Sequence, residues 1–136
     1  MRIAVIDGQG GGIGKHIVEK LRKALPDSVE VIALGTNSLA TSQMLRAGAN
    51  EGATGENAIR FNAARVNVIV GSIGIVIPNA MLGELTPGMA EAIASSEAEK
   101  VLLPLHRMNM HIIGMKNDPL PHLIEMAVAR VKEIVS

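Results

Sequence analysis

The chain has 136 residues, 48% hydrophobic and 19% charged, which predicts one packed domain rather than a disordered chain or two domains. Its 13 basic and 13 acidic side chains cancel and Phe61 is its only aromatic residue, so nucleic acid, which calls for a basic face and stacking rings, is not an expected partner. Cysteine, tyrosine and tryptophan are absent, which removes disulfides and thiolate chemistry and leaves any catalysis to His, Lys, Arg, Asp, Glu, Ser, Thr or a cofactor.

From the start, Ile3 to Ile6 is an apolar run closed by Asp7 and a glycine cluster. It is too short for a signal peptide and reads as a buried strand of a parallel sheet. A helix is predicted from Ile13 to Leu25, with Ile13, Ile17, Leu21 and Leu25 on one stripe and Pro26-Asp27 ending it. Val29 to Leu34 reads as a second strand. A helix capped by Asn37 or Ser38 follows as far as Gly48. Ala49 to Thr54 is expected as a third strand, Glu56 to Ala64 as a helix, and Val66 to Val70 as a fourth strand broken by Gly71-Ser72-Ile73-Gly74. Ile75 to Ile77 is expected to continue extended into Pro78. Thr86-Pro87 is a helix start, with the helix reaching Ala98. Lys100 to Leu105 is a fifth strand, and Met110 to Ile113 a short sixth one, antiparallel to the fifth. An amphipathic helix from Pro119 to Val135 closes the chain.

This alternation predicts a single doubly wound α/β domain over residues 1–136. The expected architecture is a mostly parallel sheet of five to six strands in a three-layer, Rossmann-like arrangement. No stretch approaches the roughly 20 apolar residues of a membrane span, so a cytoplasmic, non-membrane protein is expected.

Most of the functional information lies in Asp7-Gly8-Gln9-Gly10-Gly11-Gly12-Ile13-Gly14, between the first strand and the first helix. At that place the main chain of a Rossmann-like unit comes close to phosphate. Side chains at Gly8 or Gly12 would block the approach, and Gly14 would let the helix pack against the sheet. The free N–H groups of the first helical turn, helped by the helix dipole, would then hold the anion. Five glycines in seven residues exceed what a tight turn needs, since each costs up to ~1 kcal/mol of folding entropy. A Walker loop would need glycine at 9 and a hydroxyl residue at 16, where the chain has Gln9 and His16.

The spacing Gly8, Gly12, Ile13, Gly14 resembles the cofactor loop of short-chain dehydrogenases. Val66 to Ile75, with Gly71-Ser72-Ile73, is similar to that family's strand ending in Asn-Asn-Ala-Gly. The resemblance covers about the first 80 residues. It implies an NAD(P)-type or other adenine nucleotide, with Gly71, Ser72 and Ile73 beside the adenosine and ribose. The family's catalytic tyrosine has no counterpart here, and the chain is about half the usual length. Asp7 stands where that family has Thr, either capping loop amides or holding a cation beside a phosphate. No acid follows the second strand to take the ribose hydroxyls of NAD; Thr36, Asn37 and Ser38 stand there as donors for a 2′-phosphate. The whole chain, opening on the Asp7–Gly14 run, also resembles a family of short bacterial Rossmann-like proteins of unknown function, which implies no activity.

The expected nucleotide-binding residues are therefore Asp7, Gly8, Gln9, Gly10, Gly11, Gly12, Ile13, Thr36, Asn37, Ser38, Gly71, Ser72 and Ile73. His106-Arg107 follows the fifth strand, where a phosphate or carboxylate clamp would sit, but reads first as a solvated hairpin turn. His16, His106 and His111 lack the spacing of a metal site, and His122 reads as a surface residue. Asn79 to Glu84 forms an apolar loop suited to a lid or a subunit contact, and a symmetric homodimer or higher homo-oligomer is the expected assembly. The expected function is a small nucleotide-binding module. The alternatives are an oligomeric reductase or nucleotide-dependent transferase, and a scaffold with a vestigial loop.

Overall fold

The computed structural model describes residues 1–105 and 109–136. In chain order the elements are β1 (Arg2–Asp7), α1 (Gly12–Ala24), β2 (Glu30–Gly35), α2 (Ser38–Arg46), β3 (Glu51–Thr54), α3 (Glu56–Ala63) and β4 (Val68–Ser72). A 3₁₀ turn over Ile73–Val76, α4 (Pro87–Ser95), β5 (Glu99–Leu103) and α5 (Leu120–Val135) follow. The five strands form one sheet in the order β3-β2-β1-β4-β5, and every pairing is parallel. This is a Rossmann-like α/β fold.

The apolar runs form strands because both faces of the sheet are covered. Along β1, Ile3 and Val5 join α1, α5 and Met44 of α2 in one core. Ala4 and Ile6 join α3 and α4 in the other. Alternate residues point to opposite faces, so a strand buried on both sides reads as an unbroken apolar stretch. The predicted caps form. The Asn37 side-chain oxygen accepts the Ala40 amide at 2.9 Å, and the Thr86 hydroxyl accepts the Met89 amide at 3.1 Å ahead of Pro87.

Two expectations are corrected. Met110 to Ile113 is not a strand: these residues are exposed and pair with no strand among the described residues. An edge strand needs one face to bury, and Ile113 is 93% exposed. Ile75 and Val76, expected to be extended, belong to a 3₁₀ turn over Ile73–Val76, and only Ile77 of that stretch has extended backbone. The turn sends Ile75 into the core beneath α4, and burial overrides the β-branched preference for extended backbone.

The order of strands sets the place for a site. The chain winds outward from β1 to β3, then returns to lay β4 on the other side of β1. The carboxyl ends of β1 and β4 therefore flank a crevice that no crossover fills.

Candidate functional site

Asp7 is the last residue of β1 and is 7% exposed. One of its carboxylate oxygens accepts the Gly8 amide at 2.8 Å and the other the Gly14 amide at 2.7 Å. The side chain thus closes the loop onto the start of α1, the amide-capping role among those expected of it. Burial pushes its carboxyl above the usual value, against the lowering effect of these two amides, and the nearby charge of Glu84 adds to the rise.

The glycines divide into two groups. A Cβ on Gly8 would lie 2.5 Å from the Thr36 hydroxyl and 2.6 Å from Met81 sulfur. Gly11 has φ of 74°, and its Cβ would lie 2.8 Å from the Ala40 main chain. Gly14 lets α1 approach β1, since its Cβ would lie 2.9 Å from that of Asp7. Folding explains these three. Gly10 and Gly12 are exposed, have no left-handed φ, and face open space with nothing within 4 Å of an added Cβ. The fold itself gives no reason for glycine at either.

The loop amides divide in the same way. Those of Gly8 and Gly14 go to Asp7, that of Gln9 to Glu84 at 2.8 Å, and that of Gly11 to the Gly8 carbonyl at 3.0 Å. The amides of Gly10, Gly12 and Ile13 have no hydrogen-bond partner among the described residues. Gly12 and Ile13 are the first two residues of α1, so their N–H groups project from its positive end.

Beside this rim a cavity of about 490 Å³ opens between the ends of β1 and β4. Asp7, Gly8, Gln9 and Ser72 form its polar wall, and Ile13, Met81, Leu82 and Leu105 its apolar side. Ser72 is 8% exposed, and its hydroxyl makes no hydrogen bond among the described residues. The hydroxyl is therefore available to a molecule in the cavity.

Other predicted residues sit elsewhere. Gly71 lies where β4 passes β1, its Cβ position 2.8 Å from the Ile6 carbonyl oxygen, and Ile73 is half-buried in the 3₁₀ turn. Ser38 is exposed at the first position of α2. Thr36 and Asn37 do come to the loop, but they face Glu84. One Glu84 carboxylate oxygen accepts the Thr36 hydroxyl at 2.7 Å and the Asn37 amide at 2.8 Å as well as the Gln9 N–H. These donors hold the Glu84 carboxyl below its usual value. Glu84 is the site residue that sequence reasoning missed, because 48 residues separate it from Thr36 and no motif contains it. His106 and Arg107 lie outside the described residues.

The family model described as Domain of unknown function (DUF3842) matches residues 2–136. The chain belongs to this family. No curated protein matches it, and no solved structure does. The family assignment adds no chemistry to the geometry, and the resemblance to short-chain dehydrogenases rests on the quoted residues alone. Among the described residues, no helix is long and apolar enough to cross a membrane.

Proposed function

We propose that the chain binds a small phosphate-bearing ligand of the nucleotide class. Its phosphate lies over the amides of Gly10, Gly12 and Ile13, and its organic body lies in the cavity between β1 and β4. The observation that carries this reading is the bareness of Gly10 and Gly12. Each gives up folding entropy, yet neither has a backbone conformation or a close neighbour that demands it. Close approach of an anion to the main chain supplies the missing reason. Ile13 belongs both to the amide rim and to the cavity wall, so one ligand can span the two. The cavity lies within the roughly 300–1,000 Å³ common for small-molecule sites. Ser72 offers the ligand body a hydroxyl that has no partner among the described residues.

Binding is favoured over catalysis by the same geometry. Both oxygens of Asp7 are engaged by main-chain amides, so it is poorly placed to act as a general base. A full dinucleotide would also have to enter the crevice between β1 and β2, where Glu84 now lies. A single phosphate with one base or ring is the better fit to the closed chain.

Thermal shift with AMP, ATP, NAD and NADP tests the reading. A ligand at a hundred times its dissociation constant adds about 2.7 kcal/mol to stability. Gly12→Val is expected to fold as the wild type does, since its side chain meets open space, and to abolish that shift. A shift of unchanged size in the variant places the ligand elsewhere and overturns the proposal.

A further inference from the structure

The Gln9 N–H, the Thr36 hydroxyl and the Asn37 side-chain amide converge on one oxygen of Glu84, at 2.8, 2.7 and 2.8 Å. The other oxygen has no partner among the described residues. A carboxylate oxygen has two lone pairs, so three donors on one oxygen are a crowded match. A phosphate, with three terminal oxygens, would separate them. The donors do not depend on Glu84 for their placement. Asn37 is held by its cap to the Ala40 amide at 2.9 Å and by a second bond to the Gln9 carbonyl at 3.0 Å. The Thr36 main-chain N–H is tied to the Asp7 carbonyl at 3.0 Å. This crevice, between the ends of β1 and β2, also lies at the N-terminus of α2, where the helix dipole favours a negative group.

The segment that carries Glu84 is anchored by buried Ala80 and Leu85 and exposes its tip. It leaves the 3₁₀ turn at Ile77 and enters α4 after Thr86. Within it Met81 and Leu82 hold φ of 60° and 57°, a left-handed conformation unfavourable for both. Leu82 is 97% exposed. Met81 packs partly against the core beneath α4, whereas core packing does not account for the exposed Leu82; the turn brings Glu84 to the three donors and Met81 over Gly8.

We infer that the Gln9–Thr36–Asn37 crevice is a second anion subsite, which Glu84 occupies in this structure and which a ligand's second phosphate takes when Glu84 withdraws. The inference rests on the proposed phosphate site and extends it. The ligand class becomes one with two linked phosphates, and the Glu84 segment becomes a lid that competes with it. This resolves the poor fit of a longer ligand to the closed chain.

Calorimetric titration of the whole chain with inorganic phosphate and with inorganic pyrophosphate tests it. Glu84→Ala is expected to tighten pyrophosphate binding about tenfold or more, the size of one charge-assisted hydrogen bond, with phosphate little changed. Thr36→Val in the same background is expected to reverse the gain. Glu84→Gln, which keeps the shape of the side chain, should show a smaller gain in the same sense and carries the test if Glu84→Ala fails to fold. Equal gains for both anions would mean simple removal of charge, and weaker pyrophosphate binding would make Glu84 part of the ligand site; either overturns the inference. If phosphate binds through Gly12 while pyrophosphate ignores Glu84, only the second subsite fails. If neither anion binds wild type or variant, the first site fails with it.

Discussion

Gly11→Ala is expected to destabilise the chain by about 3 kcal/mol, whereas Gly12→Ala, one residue along, leaves stability unchanged or raises it by up to ~1 kcal/mol. At Gly11 two penalties combine. Its φ of 74° lies in the left-handed region, where a Cβ meets the following carbonyl, at a cost of roughly 1–2 kcal/mol. The same Cβ would stand 2.8 Å from the Ala40 Cα and 3.2 Å from its carbonyl oxygen. These are main-chain atoms of α2 and cannot swing away, so the contact between α1 and α2 must open, at about 1–3 kcal/mol for overpacking. Gly12 has ordinary φ and empty space around it, and alanine at the first position of α1 restricts only the unfolded chain. Urea unfolding of the two variants checks the contrast. Equal losses would show that Gly12 serves the fold, and would remove the main reason for placing a ligand against it.

That contrast also marks how far the sequence could be read. The loop as a whole was legible, because a buried strand, five glycines and an amphipathic helix follow one another within 25 residues. Gly14 was legible as a packing glycine and proves to be one. The division between Gly8 and Gly11 on one side and Gly10 and Gly12 on the other was not. It depends on Ala40, Thr36 and Met81, which reach the loop only in three dimensions. All five strands were legible, with ends displaced by up to about two residues. The fourth runs over Val68–Ser72, two residues later than expected. Short apolar runs misled where tertiary packing decided. Ile75 was drawn into a 3₁₀ turn, and Met110 to Ile113 had no sheet neighbour to join.

Glu84 illustrates the harder limit. An acid at the end of β2 is the usual reader of a ribose, and its absence there weakens the expectation of NAD. The folded chain brings an acid to that spot from beyond β4, against the very residues, Thr36 and Asn37, that the sequence offers as donors. Donor and acceptor are separately visible in the sequence. Their meeting depends on a loop whose left-handed turn at Met81 and Leu82 has no glycine to announce it until Gly83.

Asp7→Ala is expected to cost about 3 kcal/mol, because two main-chain N–H groups, of Gly8 and Gly14, lose their buried acceptor. Asp7→Asn should fall between this variant and the wild type. Its single carbonyl oxygen can serve one amide, while its NH₂ faces the other, donor against donor. The pH dependence separates the carboxyl from its mere shape. Burial raises the Asp7 pKa, so the folded chain takes up a proton more readily there than the unfolded one. The contribution of that proton is full below the unfolded value of about 3.9 and is lost as pH rises through the folded value. Measured by urea unfolding, the stability advantage of wild type over Asp7→Asn should therefore shrink as pH rises through this interval. Glu84 acts in the opposite sense. Its lowered pKa gives stability above its unfolded value of about 4.3, lost as pH falls through the folded one, so the advantage over Glu84→Gln should shrink on acidification. Two carboxyls beside one loop that titrate with opposite signs would be the solution signature of their separate settings, Asp7 sealed inside the turn and Glu84 laid across it. If the Asp7→Asn difference instead grew with pH, the Asp7 carboxylate would be better stabilised by its two amides than burial penalises it.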